Sequence, residues 1–261
     1  MTALLSVEGL SRSFGGLTVV DDVTFAVEAG GRVALIGPNG AGKTTVFNLL
    51  SGVYAPDRGR IVFDGTDIVA VPSRRRIALG LARSFQNIRL MPHLSAVENV
   101  MLGQHARASG IPSLLSPLGR SSRWRREAEA RLASLGLSTF PGEVVANLPY
   151  GVRKKIEIAR ALMARPKLLL LDEPAAGLNP AETASLRDFL LQVSGEGTTL
   201  LVVEHDMSFV RSLCGHAVVL NFGRKIFDGP TAGVQSDPAV LEAYLGPRRG
   251  GTGPGSLDDA A

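Results

Sequence analysis

The sequence predicts an α/β fold in which a parallel sheet carries helices on both faces. The apolar run Leu168–Leu171 ends in Asp172-Glu173, which is typical of a buried parallel strand with acids at its carboxyl end. A second short strand, Val33–Ile36, leads into the glycine-rich segment 37–44. Strands and helices then alternate through the middle and end of the chain, which favours a parallel sheet.

Composition limits the class of protein. The chain has 261 residues, of which 45% are hydrophobic and 20% charged, so it can bury a substantial core. It has no apolar run of the roughly 18 residues that a membrane span needs, and its N-terminus lacks the pattern of a signal peptide. Cys214 is the single cysteine, so we expect a cytoplasmic protein in which this thiol is buried and structural.

The net charge is +4, with basic clusters at 74–76 and 120–126. Such clusters could contact phosphates of nucleic acid or lipid headgroups, but a solvated face is the simpler interpretation and the one we favour. Aromatic residues make up only 5% and do not interleave with the basic runs, which argues against a groove for single strands. We expect no nucleic-acid partner.

The remaining elements follow from local patterns. Leu4–Val7, Val23–Val27 and Ile61–Phe63 are predicted strands, the last followed by an Asp64-Gly65 turn. A further strand is predicted at Thr199–Val203. Predicted helices run from Lys43 to about Ser51, ended by Gly52, and over Trp124–Leu135, Gly151–Ala164 and Ala181–Val193.

Three segments depart from the alternating pattern of strand and helix. A mostly helical insert, roughly residues 88–147, interrupts the sheet, and residues 103–122 are rich in Gly, Pro and Ser, as in a loop. Residues 247–261 lack a core pattern, and we expect them to be disordered.

The glycine-rich segment matches GxxxxGK[ST] between a strand and a helix, the context that identifies a P-loop. The fold class is therefore a P-loop NTPase with a RecA-like parallel sheet. Backbone N–H groups of such a loop surround phosphates, while Lys43 would reach the β- and γ-phosphates and Thr44 would ligate Mg²⁺. The predicted nucleotide-binding residues are Gly37, Pro38, Asn39, Gly40, Ala41, Gly42, Lys43, Thr44 and Thr45.

The two acids after the Leu168–Leu171 strand suit the same chemistry. Asp172 is the predicted second ligand of Mg²⁺, directly or through a bound water. Glu173 is the predicted general base or water-orienting residue. A solvated strand end is the alternative, and the P-loop disfavours it.

This set of motifs resembles the ATP-binding subunit of an ABC transporter. The resemblance implies ATP and Mg²⁺ as cofactors, an N-terminal antiparallel β subdomain and a helical subdomain. It implies that Phe14 stacks on adenine, that Gln86 meets the metal and the attacking water, and that His205 contacts the γ-phosphate as a catalytic residue beside Glu173. A core phenylalanine, a surface amide and a structural histidine are the respective alternatives.

Leu148–Val152 resembles the family signature LSGGQ, through which Gly151 and Tyr150 would contact ATP bound to a partner subunit. Pro149 replaces the serine whose hydroxyl contacts the γ-phosphate, Tyr150 replaces a glycine, and Val152 replaces the glutamine. Either Gly151 and the dipole of the following helix suffice, or this half-site is degenerate and the partner's signature supports hydrolysis. Intact Glu173 and His205 favour the first interpretation.

Further sequence resembles the ATPase subunits of branched-chain amino-acid importers, namely LPYG before EIARAL, PAAGLNP, ARSFQNIRL and DPAVLEAYLG. The implied partners are integral-membrane permease subunits, a second ABC ATPase subunit in a homo- or heterodimer and, indirectly, a solute-binding protein. The implied location is the inner face of the cell membrane, where the subunit is peripheral. Relatives that transport urea, short amides or lipopolysaccharide look alike and stay as alternatives.

The resemblance spans about residues 4–246 and predicts an ABC ATPase domain over 1–246. Within it, 1–87 and 148–246 would form the nucleotide-binding core with the β subdomain, and 88–147 the helical subdomain, followed by the tail 247–261. Apolar residues within 87–99 would contact a permease helix, or else form a buried linker.

Two other classes of protein are disfavoured. A single P-loop and the lack of heptads disfavour a soluble ABC ATPase of DNA repair or translation. The presence of Glu173 and His205 disfavours a P-loop kinase or GTPase.

Overall fold

The computed structural model describes residues 3–84, 88–104 and 123–245. Its strands form two sheets. Four lie in an antiparallel sheet: β1 Ala3–Phe14, β2 Leu17–Glu28, β4 Arg58–Phe63 and β5 Thr66–Asp67. Six lie in a second sheet: β3 Arg32–Ile36, β6 Leu81–Arg83, β7 Leu168–Asp172, β8 Thr199–Val203, β9 His216–Asn221 and β10 Arg224–Pro230.

The six-stranded sheet has the order β10-β9-β3-β8-β7-β6. Its strands are parallel except for β10, which pairs antiparallel with β9 at one edge. The second sheet has the order β2-β1-β4-β5. The predicted α/β class with a parallel core and an N-terminal antiparallel subdomain is therefore confirmed.

Helices connect these strands. They are α1 Lys43–Leu50, α2 Ser73–Arg76, α3 Ala96–Leu102, α4 Arg123–Ser134, α5 Tyr150–Leu162, α6 Pro180–Gly195, α7 Met207–Leu213 and α8 Pro238–Leu245. The helix α3 packs against α4 and α5, which forms a helical layer beside the sheet. Within the described ranges, no helix is both long enough and apolar enough to cross a membrane.

The core consists of two layers because side chains along each parallel strand alternate between the faces. Leu169 and Leu171 of β7 belong to a cluster with α3, α4, α5, α6 and α7. Leu168 and Leu170 belong to a cluster with α1 and the antiparallel sheet. The expectation of helices on both faces was therefore incomplete, since the antiparallel sheet covers much of the second face.

The predicted elements that had continuous apolar patterns are confirmed, with ends that shift by a few residues. The strand prediction was too short at β1 and β2, where polar residues alternate with the buried Leu10 and Val20. The turn after β4 is confirmed, with positive φ at Asp64 and Gly65. Pro247–Ala261 and almost all of the predicted loop at 103–122 lie outside the described residues.

Several elements were not predicted. The helix α3 begins at a capping box in which the side chains of Ser95 and Glu98 exchange hydrogen bonds with each other's backbone amides. The strands β6, β9 and β10 and the helices α2, α7 and α8 were missed as well. The boundaries proposed for the subdomains stay predictions, although α3 and α4 do lie within 88–147.

The basic cluster at 74–76 is not wholly a solvated face. Arg74 and Arg75 are exposed, but Arg76 is 2% exposed. Its guanidinium donates to five backbone carbonyls, at distances of 2.7–3.4 Å: Leu49, Leu50, Ile68, Val69 and Val71. Because the last carbonyls of a helix have no partner inside it, Arg76 satisfies the carboxyl end of α1. Burial lowers the pKa of Arg76.

We predict that Arg76→Met lowers the free energy of unfolding by about 3 kcal/mol, because buried carbonyls lose charge-assisted donors. Thermal unfolding should show a melting temperature lower by about 6–12 °C. The matched control is Arg75→Met, which alters an exposed neighbour on the same helix and should change little. Equal melting temperatures for the two variants would contradict a structural role for Arg76.

Candidate nucleotide-binding site

The order of three strands brings the predicted site residues together. The strand β8 lies between β3 and β7, and Val203 at its end pairs with both Leu35 and Asp172. The three strands are parallel, so the segments that follow them leave from the same edge of the sheet. Open α/β sheets bind ligands at this edge.

The segment after β3 forms the predicted P-loop, and it fits closely against β9. Gly37 has φ of 149°, and a Cβ added there would lie 2.1 Å from the carbonyl oxygen of Leu220. The side chain of Lys43 is buried, and its Nζ donates to the carbonyls of Gly37 at 2.7 Å and Pro38 at 2.9 Å. The loop thus holds the lysine ammonium with its own backbone.

The helix α1 starts directly after this loop. Gly42 is its N-cap, with φ of 98°, and glycine has no side-chain oxygen to cap the first amides. Thr44 is exposed in the first turn. Free amides and the helix dipole at such an end favour a phosphate.

Asp172 is the last residue of β7, and Glu173 follows it. Asp172 is 6% exposed, and its Oδ2 accepts from Nη2 of Arg83 at 2.7 Å. Burial lowers the pKa of Lys43, whereas the charges of Glu173 and Asp172 raise it, so the three groups share one electrostatic environment. Glu173 has φ of 45°, a strained conformation of the kind that clusters at functional sites.

The segment after β8 contributes Glu204 and His205. Glu204 is 1% exposed and accepts from the amides of Ala175 at 2.8 Å and His205 at 3.2 Å. Burial raises the pKa of Glu204, and these two amides oppose the increase. His205 has a side chain that is 65% exposed. The buried Glu204 therefore holds the backbone that follows β8, and His205 extends to the surface at the same edge of the sheet.

Phe14 ends β1, and it is 36% exposed. The Cζ atom of Arg12 lies 4.8 Å from the centroid of the Phe14 ring. The ring of Tyr54 meets that of Phe14 edge-on, with centroids 5.2 Å apart. A core phenylalanine is thus the poorer interpretation, and stacking on adenine stays a prediction.

The signature-like segment Leu148–Val152 includes the first turn of α5, and it contacts the segment after Glu173 in the same chain. Pro149 is the N-cap of α5. The amide of Gly151 donates to Oε1 of Glu182 at 3.4 Å, while Oε2 of Glu182 accepts from the amide of Asn179. The ring of Tyr150 lies beside Gly177. The Gly151 amide is therefore engaged by a carboxylate, rather than free for an anion as the sequence suggested.

Most of the predicted site residues occupy one edge of the sheet. Gln86 lies outside the described residues, so its predicted role stays untested. Val152 packs against the core, unlike the polar residue that the family signature has there. Sequence reasoning missed Arg83, Glu204, Tyr54 and Glu182, because each acts through a contact with a residue distant in the chain.

The donor set fits Mg²⁺ that is held jointly with a nucleotide. A buried carboxylate, Asp172, and a hydroxyl, Thr44, supply the hard oxygen ligands that this cation prefers. Nowhere in 3–84, 88–104 or 123–245 could a group of three or more His, Cys, Asp or Glu residues hold a metal. Phosphate oxygens would therefore complete the coordination.

The family model for ABC transporters matches residues 20–176, a range that contains the P-loop, the signature-like loop and both acids. The chain therefore belongs to the ABC transporter family, whose ATP-binding cassettes are ATPases. A second model, described as a branched-chain amino acid ATP-binding cassette transporter, matches residues 224–246, over β10 and α8.

Curated relatives agree with this family. The chain is 42% identical to the high-affinity branched-chain amino acid transport ATP-binding protein BraF of Pseudomonas aeruginosa, over 93% of this chain and 98% of that protein. It is 38% identical to LivG, of the same description, from Escherichia coli K12, with the same shares covered.

Solved structures share the fold. The ADP conformation of MJ1267, an ATP-binding cassette of an ABC transporter, superposes with a TM-score of 0.85 at 30% identity, covering 95% of this chain and all of that one. A nucleotide-free ATP-binding cassette from an ABC transporter gives 0.84 at 28% identity, over 94% of this chain and all of that one. The predicted P-loop fold is confirmed.

We predict that Gly37→Ala destabilises the protein by about 2–4 kcal/mol, because its Cβ would clash with the carbonyl of Leu220. ATP binding should fall with it, as the loop shifts away from β9. Thermal unfolding and nucleotide titration measure both effects. As a control, Gly195→Ala places a Cβ at the end of α6, where it meets no described residue outside its own helical turn within 4 Å. A comparable loss there would contradict the tight fit at Gly37.

Proposed function

We propose that this chain is the ATP-hydrolysing subunit of an importer for branched-chain or other hydrophobic amino acids. One observation supports the ATPase site most directly. The strand order β3-β8-β7 collects Lys43, Asp172 with Glu173, and His205 at one edge of the sheet. The relatives' descriptions and the match over 224–246 support the amino-acid solute.

The roles follow from the positions. The P-loop amides and Lys43 bind the phosphates, Phe14 stacks on adenine, and His205 reaches the γ-phosphate. Glu173, on its strained backbone, orients the attacking water or accepts its proton. Thr44, Asp172 and Gln86 are the proposed metal ligands, and the chemistry that bound Mg²⁺ supplies is neutralisation of phosphate charge.

A second copy or a related subunit completes the site in this proposal. Two chains enclose two ATP molecules, and each P-loop faces the partner's Tyr150 and Gly151. Because the Gly151 amide is engaged by Glu182 in the single chain, closure on ATP requires this contact to loosen. Because this hydrogen bond is long at 3.4 Å, its loss costs little, which favours a weaker signature contact over a site that is wholly inactive.

The permease contact is proposed at a groove beside the segment 88–104. A cavity of about 350 Å³ lies between β6, α3 and α5, and Met91 and Leu102 are among its lining residues. Met91 is 49% exposed, whereas Val97 is fully buried and Leu90 is 9% exposed. The exposed part of the apolar segment is thus the proposed docking site, and Val97 belongs to the core.

Location and solute complete the proposal. The subunit would be peripheral on the inner face of the cell membrane, bound to permease subunits that receive solute from a binding protein. Transport of urea, short amides or lipopolysaccharide is the alternative. Solute-loaded binding protein should stimulate the ATPase of the reconstituted complex, and stimulation only by the binding protein of another solute class would favour the alternative.

We predict that Glu173→Gln binds ATP but lowers turnover by at least about 100-fold, and that it accumulates a closed dimer. The variant for comparison is Lys43→Ala, which should lose ATP binding because a charge-assisted phosphate contact is removed. Single-turnover kinetics and size-exclusion chromatography with ATP measure both outcomes. Near-normal turnover of Glu173→Gln would remove the role that we give to this residue.

We predict that Pro149→Ser together with Val152→Gln strengthens ATP-driven dimerisation about fivefold, since the serine hydroxyl would supply the γ-phosphate contact that proline lacks, worth roughly 1 kcal/mol of hydrogen bonding. Sedimentation of the Glu173→Gln background with ATP measures the dimer affinity. Pro149→Ser alone separates the effect of the added hydroxyl from the loss of the apolar contacts of Val152. An unchanged dimer affinity would mean that the departures in the signature do not weaken closure.

A further inference from the structure

Arg83, the last residue of β6, lies between the predicted metal ligand Asp172 and the P-loop helix α1. Its Nη2 donates to Oδ2 of Asp172 at 2.7 Å. Its Nη1 donates to Oδ1 of Asn48 at 2.7 Å and to Oγ of Ser51 at 3.0 Å. One guanidinium thus joins β7 to α1.

The pair is shielded from water, because the side chain of Arg83 is 10% exposed and that of Asp172 is 8% exposed. The Cζ atom of Arg83 also lies 5.7 Å from the centroid of the Phe47 ring, which is another residue of α1. A guanidinium is planar and its donors are fixed relative to one another. Hydrogen bonds from its two Nη groups, to Asp172 on one strand and to Asn48 and Ser51 on the other side, therefore fix the carboxylate relative to the helix.

The same helix begins with Lys43 and Thr44. Asp172 and Thr44 are the proposed metal ligands, and they come from elements that lie far apart in the sequence. Arg83 links Asp172 by hydrogen bonds to α1, the helix that carries Thr44. We propose that Arg83 is a positioning residue for Mg²⁺ binding: it sets the orientation of the Asp172 carboxylate relative to Thr44 before nucleotide arrives.

The ion pair with Arg83 also leaves one oxygen of the Asp172 carboxylate able to bind a metal. Among the described residues, the contacts of Asp172 with Arg83 engage only Oδ2, so Oδ1 remains for a metal or its bound water. Outer-shell partners of metal-binding carboxylates are typically worth about 10–100-fold in metal affinity. This inference rests on the proposed function, because it takes Asp172 as a metal ligand.

The test is the Mg²⁺ dependence of nucleotide binding to the full chain, measured with a fluorescent ATP analogue. Arg83→Met should raise the Mg²⁺ concentration at half-saturation about 10-fold or more. Binding of the analogue in EDTA should change less than about 2-fold, since the P-loop contacts to phosphate are intact. Asn48→Ala keeps the ion pair but removes one anchor on α1, so it should give a smaller shift in the same direction.

Two controls accompany these variants. Arg60→Met removes an exposed ion pair with Asp67 and should leave both titrations unchanged. Arg83→Lys keeps the positive charge without the planar fork, so it should recover only part of the lost Mg²⁺ affinity.

Three results for Arg83→Met would overturn the inference: unchanged Mg²⁺ dependence, an equal loss of binding with Mg²⁺ and in EDTA, or a lower Mg²⁺ requirement. The second would indicate a general structural role, and the third would mean that the arginine competes with the cation. Failure of the proposed function gives a different pattern. In that case the unaltered protein and Asp172→Asn would bind the analogue equally, with or without Mg²⁺.

Discussion

The site depends on the pairing of β8 between β3 and β7. Parallel pairing aligns Val203 with Leu35 on one side and Asp172 on the other, so three chain segments leave the sheet side by side. Each strand contributes alternate residues to two apolar layers, so a register shift of one residue would move every side chain into the opposite layer and disrupt the packing of both. Burial of this sheet therefore fixes the spacing of the lysine, the acids and the histidine.

Hydrogen bonds to the backbone help to stabilise several buried charged side chains of this protein. Among the described residues, Lys43 donates to two carbonyls, Arg76 donates to five, and Glu204 accepts from two amides. Hydrogen bonds to charged groups are stronger than those between neutral groups, so these side chains are held firmly. In the case of Lys43, the positive charge thereby remains available to a phosphate.

The sequence predicted those parts of the fold that a continuous apolar run or a short motif determines. Buried strands such as Leu168–Leu171 and the motif around Lys43 carry their own signal, and they sufficed for the fold class. The strand β9 was missed although its residues 217–220 are apolar and buried, and β10 was missed because most of its residues are partly or fully exposed. Arg76 and Arg83 look like ordinary basic residues in the sequence, since their meaning depends on carbonyls and carboxylates that only the folded chain brings near. The engagement of Gly151 by Glu182 was hidden for the same reason.

The P-loop helix shows why such distant contacts matter to the chemistry. The helix α1 has 8 residues, and an isolated helix of that length is not stable in water. Its carboxyl end is satisfied by Arg76, its side faces Arg83 through Asn48 and Ser51, and its first residue is held by the loop carbonyls. Its stability thus comes from elements before and after it in the chain. Because Lys43 and Thr44 lie in its first turn, the geometry of the phosphate site is set by these anchors as much as by the glycine-rich loop itself.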